Sequence, residues 1–432
     1  MIISRLFLAF LLVLGLLNPV NNTLDKFIGF FIFALCASCV FKSWKFAILT
    51  TVIALLVFVK LRNFEFVILC ALLTGLALGY FLRRLQVAKK LAIWIIIVGF
   101  LISSVATSGQ LRQMLGRNLP LFSYNNDPSV ILETYQLMEK GKGYYEAFAV
   151  AQLSRYAQQI VPGDIWGWRL PTIFYLWTIF PSRSGLGIYV LYLILASAVL
   201  YVSFRLGKRY LGESLAILPS YLIFPYLHFA ARDQMLLETE WWAMLLFIIG
   251  IYLLVEKKWF FATLVFSLTV MVRELYILPI FAMLAFAFFK KRRLIPIFLI
   301  PLAAFALLFL FHMMGTSEYI DSWGTLFKPR TIPFGLFFVE QTLAFGSWEY
   351  LLFAFRPFFI FVVLAVLGCL FVFKRFDGGE AIFLLLGFLP FPIAFLKTGT
   401  VPYNDYWGII YMPLAIILAA LSVGFVKSEL NS

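Results

Sequence analysis

Among the polar residues of this chain, Asp127 stands where a carboxylate could do chemistry. It lies in Ser123-Tyr124-Asn125-Asn126-Asp127-Pro128-Ser129, within a hydrophilic stretch, 109–167, that interrupts a series of long apolar runs. A carboxylate exposed there could take the proton of an acceptor hydroxyl as a new bond forms, the work of a general base. The spacing gives Asp127 a plain structural role as well. It reads as the N-cap, and Pro128 as the first residue, of an amphipathic helix with Ile131, Leu132, Tyr135 and Met138 on one face. Gly141 and Gly143 then end that helix. The two roles are compatible, because a cap holds a carboxylate still.

A second concentration of ionisable groups runs from His228 to Trp242 and contains Arg232, Asp233, Gln234, Glu238 and Glu240. Glu238 and Glu240 cannot share a helix face, so at most two of the three carboxylates are expected to converge. Oxygen ligands of this kind suit a divalent cation with water, whereas no His or Cys spacing supports zinc. Arg273-Glu274, followed by Tyr276 and Pro279, forms a third candidate. An arginine there can hold a phosphate through two parallel hydrogen bonds, or pair with Glu274 or a nearby acid. Residues 313–350 add Glu318, Asp321, Lys328, Arg330, Glu340 and Glu349 with no evident ranking, and His228 and His312 read as interface residues at helix ends.

The elements that must position these groups follow from composition. Of the 432 residues 63% are hydrophobic and only 13% charged, outside the balance of soluble domains. Apolar runs of roughly 20 residues recur, as a helix crossing a bilayer requires, and no short alternating segments of a membrane barrel are present. The reading is an all-α bundle with spans near 3–18, 27–41, 46–60, 65–82, 91–108, 186–204, 214–230, 241–255, 259–275, 276–290, 294–312, 354–373, 380–396 and 407–425. That is about 14 helices with both termini cytoplasmic.

The net charge of +14 does not call for nucleic acid, since Lys and Arg recur between apolar runs: Arg83, Arg84, Lys89 and Lys90; Arg205, Lys208 and Arg209; Lys257 and Lys258; Lys290, Lys291, Arg292 and Arg293; Lys374 and Arg375. With this threading those clusters fall on the cytoplasmic side, as the positive-inside rule asks. The segment 169–177 is too short for a span and reads as an amphipathic helix along the outer interface, with Trp166, Trp168, Tyr175 and Trp177 at headgroup depth. The four cysteines all lie in apolar runs and give no disulfide framework.

Taken together, these loops resemble the GT-C superfamily of membrane glycosyltransferases, which use polyprenyl-phosphate sugars. The resemblance covers roughly residues 91–425. It rests on the span 91–108, Asp127, Gly141-Lys142-Gly143-Tyr144-Tyr145, Arg169-Leu170-Pro171-Thr172, the phrase from Arg205 to Gly212, and Arg273 with Pro279. It implies an outer-face, inverting transfer of a monosaccharide from a polyprenyl-phosphate donor to a glycan, lipid or protein acceptor, with Asp127 as base. Arg169, Arg232, Asp233, Gln234, Glu238, Arg273, Glu274 and Arg330 are then expected to bind substrate. An Arg-Tyr pair common before the family's last helix is replaced by Asn404-Asp405-Tyr406, which moves that phosphate-binding role to Lys397.

On this reading residues 1–90 are an accessory block of four helices, 91–313 the catalytic core with its large outer loop 109–167, and 314–432 a further outer loop with the C-terminal helices. The expected setting is a bacterial inner membrane. The rival readings are a transporter or flippase of a lipid-linked substrate, against which the charges gather at helix ends and no repeat is visible, and a glycan polymerase or ligase, which would lean on arginines instead of an acid.

Overall fold

A computed structural model describes residues 2–18, 23–41, 43–61, 66–84, 88–108, 127–155, 161–182, 184–232, 234–320, 335–351, 359–397 and 402–429. Of the expected features, Arg330, Asp233 and the segment 123–126 lie outside the described residues. So do the side chains of Gln234 and Lys397.

The described chain is helical throughout, with an isolated antiparallel bridge between Leu17 and Tyr350 as its one extended pairing. Predominantly apolar runs without proline dictate helices α1 (Ile2–Leu14), α2 (Thr23–Val40), α3 (Trp44–Leu61), α4 (Phe66–Arg84) and α5 (Ala88–Thr107). Two short helices of more polar composition follow, α6 (Asp127–Glu139) and α7 (Tyr144–Arg155), then α8 (Thr172–Thr178). Long apolar helices resume with α9 (Leu186–Leu211), α10 (Leu218–Arg232), α11 (Thr239–Val255), α12 (Trp259–Val272), α13 (Ile277–Lys290) and α14 (Ile295–Thr316). The remainder is α15 (Leu336–Ala344), α16 (Ile360–Arg375), α17 (Gly378–Leu386), α18 (Pro390–Lys397), α19 (Met412–Ala419) and α20 (Ser422–Glu429).

Among the described residues three helices are long and apolar enough to cross a membrane: Thr23–Val40, Leu186–Leu211 and Arg292–Thr316, the last including a short 3-10 turn before α14. A fourth candidate is the pair α17 and α18, bent by 41°. The expected span 380–396 is thus a broken one, with Pro390 at the break. The expected span 407–425 is likewise not one helix. It begins as a 3-10 segment, Pro402–Ile410, becomes α19 at Met412, and restarts as α20 at Ser422.

Packing is set by small residues where backbones approach. Gly75 and Gly79 lie one turn apart on α4, and a Cβ at either would collide with α2, at the Phe31 carbonyl oxygen and at Ser38 respectively. A continuous buried core reaches from Leu8 to Val423. The outer surface is apolar as well: the Arg292–Thr316 helix is only 17% buried over its most apolar stretch although its mean hydropathy there is 2.8. Such a helix has an apolar partner other than this chain.

One polar cluster inside the bundle ties α2, α5 and α10. His228, fully buried, lies with Nε2 3.0 Å from the Ser103 hydroxyl and 3.4 Å from Asp25, to which Ser103 donates. His228 therefore joins helices inside the protein, and His312 does so through the Tyr145 hydroxyl at 3.2 Å.

Candidate functional site

The described ionisable groups converge at the end of the bundle where α11 begins and α12 ends, around Arg169. Its position is built in steps along the chain. Asp164 caps a single 3-10 turn, Ile165–Gly167, accepting from Gly167 N at 2.9 Å. Trp168 follows, its indole donating to the Pro162 carbonyl at 3.0 Å. The Tyr144 hydroxyl, from α7, then donates to the carbonyl of Arg169 itself. Trp168 and Trp177 are buried, packed with Phe148, Phe174 and Trp242, while Trp166 and Tyr175 are about half exposed. Of the four aromatic residues expected at headgroup depth, two instead form an internal wall behind Arg169. Indole and phenyl rings exclude water there, which strengthens the electrostatics of what they enclose.

Asp127 is the first residue of α6, one position further into the helix than the N-cap expected of it, and its Oδ2 accepts from Arg169 Nη2 at 3.0 Å. The helix ends as its sequence requires. Gly141 takes φ +93°, with Gly141 N and Lys142 N donating back to Met138 and Leu137. The same Arg169 nitrogen donates to the Tyr406 hydroxyl at 3.2 Å and lies 3.6 Å from Glu238, while Nη1 lies 3.8 Å from Glu240.

Both glutamates reach Arg169 because Glu238 is not in the helix. It is the N-cap of α11 in extended conformation, φ −65° and ψ 132°, so the helical spacing that separates it from Glu240 does not apply. The turn before it is fixed by the Trp242 indole donating to the Leu236 carbonyl at 2.8 Å. Glu240, in the first turn of α11 and fully buried, also pairs with Arg273 Nη2 at 2.8 Å.

Arg273 in turn caps α12 in extended conformation, φ −145°, which turns the chain into the 3-10 segment Glu274–Tyr276 and brings its guanidinium to Glu274. Its other face lies over the Trp407 ring at 5.8 Å, and the Tyr276 hydroxyl holds the 402–410 segment at the Ile410 carbonyl, 2.7 Å away. The result is four carboxylates, from Asp127, Glu238, Glu240 and Glu274, about two guanidinium groups.

Burial is graded across this cluster. The Asp127 side chain is 40% exposed and Arg169 12%, against 4% for Glu238 and none for Glu240. Asp127 thus stands at the mouth and the glutamates at the floor. Burial pushes the Glu238 carboxyl well above the usual carboxylate range, and the charge of Asp127 adds to the rise against the pull of Arg169. Burial also opposes the charge on Arg169, but Tyr406, Glu240, Asp127 and Glu238 outweigh it and hold the guanidinium firmly protonated. The Tyr406 hydroxyl is raised by burial and accepts from Arg169 as a neutral group.

Of the residues singled out from sequence, Asp127, Arg169, Glu238, Arg273 and Glu274 are brought together. Arg232 is not among them. It makes a separate fork with Glu349, at 2.6 and 3.1 Å, where the Glu349 and Leu351 backbones bond to the segment after α1. Arg232 thus stands apart from the cluster, its guanidinium engaged by a fully buried carboxylate. Glu240 and Tyr406 belong to the cluster although neither was selected. Their signals were present, Glu240 as the third carboxylate of its loop and Tyr406 in the stretch where the expected Arg-Tyr pair is missing. Among the described residues no group of three or more His, Cys, Asp or Glu side chains is arranged to hold a metal ion. The chain matches no family model, and no curated protein or solved structure matches it at a significant level.

Proposed function

We propose that the chain is an integral membrane glycosyltransferase that moves a sugar from a polyprenyl-phosphate donor to an acceptor hydroxyl, with Asp127 as general base. The observation that carries this reading is the meeting of a partly exposed carboxylate, Asp127, with the Arg169 guanidinium, which Glu240 links to the buried Arg273 at one end of a bundle of apolar helices. In the proposed step Asp127 takes the acceptor's proton and the acceptor oxygen forms its bond to the anomeric carbon. The bond from that carbon to the phosphate oxygen breaks, and the electron pair leaves on polyprenyl phosphate.

Each part suits a group at hand. Oδ2 of Asp127 accepts from Arg169, which orients the carboxylate. Arg169 and Arg273 supply positive charge for a leaving phosphate in a site with little water. A neutral Glu238 can donate a hydrogen bond where an ionised one would repel the phosphate. The same reading threads the chain through the membrane about 14 times, with this site on the non-cytoplasmic side and the basic clusters near Arg209, Lys257, Arg292 and Lys374 on the other.

Asp127→Asn tests it. Asparagine still accepts from Arg169, so the purified variant should unfold at the wild-type temperature, yet transfer from a panel of polyprenyl-phosphate sugars in membranes should fall by about 100-fold or more. Full transfer by the variant would remove Asp127 from the mechanism. A wild-type chain that moves the intact lipid-linked sugar across vesicles without cleaving it would favour a transporter.

A further inference from the structure

At the opposite end of the same helices lies a second built site. The 17 residues of α11 separate it from the Arg169 cluster by about 25 Å at helical rise. There the ends of α11 and α13 and the starts of α12, α14 and α17 surround a cavity of about 560 Å³. Its wall carries Lys257, Lys290, Lys291, Arg292 and Arg293, set against Asp377 and Glu380.

Those two acids are already engaged. Glu380 accepts from Arg209 at 2.7 Å and from the Tyr210 hydroxyl at 2.9 Å, and Asp377 caps α17 and pairs with Lys291 at 3.3 Å. Among the described residues Lys257, Lys290, Arg292 and Arg293 have no carboxylate within ion-pair distance. The start of α12 adds to this field. Lys258 does not cap α12 with its side chain, so the first backbone N–H groups of α12 and its positive end are open to an anion.

Lys257 gives an independent sign. It closes α11 in the left-handed region, φ +59°, the one described non-glycine residue with positive φ. Lys257 N donates to Leu254 and Lys258 N to Leu253, the arrangement in which a helix end normally carries glycine. A lysine there is strained relative to glycine, a cost that makes sense where the ammonium is used. Beside the cavity, Phe260 and Phe289 are 69% and 75% exposed, so a charged pocket opens onto an apolar flank.

We propose that this pocket holds the phosphate headgroup of an anionic membrane phospholipid, with the acyl chains lying over Phe260 and Phe289. The inference rests on the chain lying in a bilayer and is independent of the transferase reading. Charge complementarity selects the anion, and the exposed aromatic flank selects a lipid over a soluble phosphate.

Native mass spectrometry of the detergent-purified full chain tests it, with phosphatidylglycerol, phosphatidylcholine of the same acyl chains, and glycerol phosphate as probes. Phosphatidylglycerol should be retained selectively, and each cation removed should weaken it by about fivefold. Lys257→Gly is the informative variant: it should lose affinity while unfolding at the wild-type temperature or above, because glycine accepts φ +59°. The double variant R292Q/R293Q should weaken binding further. Equal retention of phosphatidylcholine, or wild-type affinity in both variants, would overturn the proposal. Displacement of the lipid by an equal concentration of glycerol phosphate would overturn it in favour of a soluble ligand. No transfer assay enters, so this proposal and that of the Asp127 site stand or fall separately.

Discussion

Arg169→Gln is the perturbation that most directly examines the charge cluster. Arg169 faces Glu238 at 3.6 Å and Glu240 at 3.8 Å, both side chains at most 4% exposed, and Asp127 at 3.0 Å with 40% exposed. Unit charges about 4 Å apart attract by roughly 4 kcal/mol in a protein's effective dielectric. The Asp127 pair is discounted for solvent screening, and desolvation of the ions offsets much of the remainder. Breaking one partner out of a buried ionic cluster typically costs about 3–5 kcal/mol. The lower end applies here, about 3 kcal/mol, because Glu238 can stay protonated when its cation is removed. Arg169→Lys should lose about half as much, since a single ammonium cannot face three carboxylates as a planar fork does.

The assay is denaturant unfolding of the purified chain in detergent, followed by tryptophan fluorescence and repeated across pH. R169Q should be most fragile at alkaline pH, where the raised Glu238 carboxyl ionises beside Glu240 without their common cation. Adding Glu238→Gln to R169Q should remove much of that alkaline fragility. A loss below about 1 kcal/mol, the range of an exposed surface pair, or a loss that does not change with pH, would refute the account of Arg169 as the centre of the cluster.

Two further outcomes follow from the packing. Since the Glu238 carboxyl is raised in the folded protein, its stabilising share is full below the unfolded value near 4.5 and is lost as pH rises through the folded one. Glu238→Gln should flatten the pH dependence of unfolding over that window, and an unchanged profile would show that Glu238 does not titrate there. On α4, Gly75→Val would drive a side chain into the Phe31 carbonyl and Ala34 of α2, so a loss of about 1–3 kcal/mol is expected. Gly143→Ala, where a Cβ meets nothing, is the control, and equal losses for both would refute the close-approach reading.

What the sequence determined by itself is local. Helical apolar runs follow from composition and period, the α6 helix and its glycine end from Asp127-Pro128 and Gly141, and the candidate groups from charges scarce enough to be conspicuous in so apolar a chain. Five of the selected residues do meet. Tertiary structure decided which groups they meet and in what conformation. Arg169 lies 42 residues from Asp127 and 237 from Tyr406, and such pairings depend on how helices pack, which no helical period encodes.

The same reason explains the misreadings. Glu238 escapes the helical geometry assumed for it by being an extended N-cap, and Arg232 is drawn to Glu349, 117 residues away, instead of to the neighbouring cluster. Trp168 and Trp177 became an internal wall because α7 and α11 cover them, a choice that their amphipathic sequence leaves open. Hydrophobic periodicity fixes which face of a helix is buried. It does not say against what, and an ion pair needs that second fact.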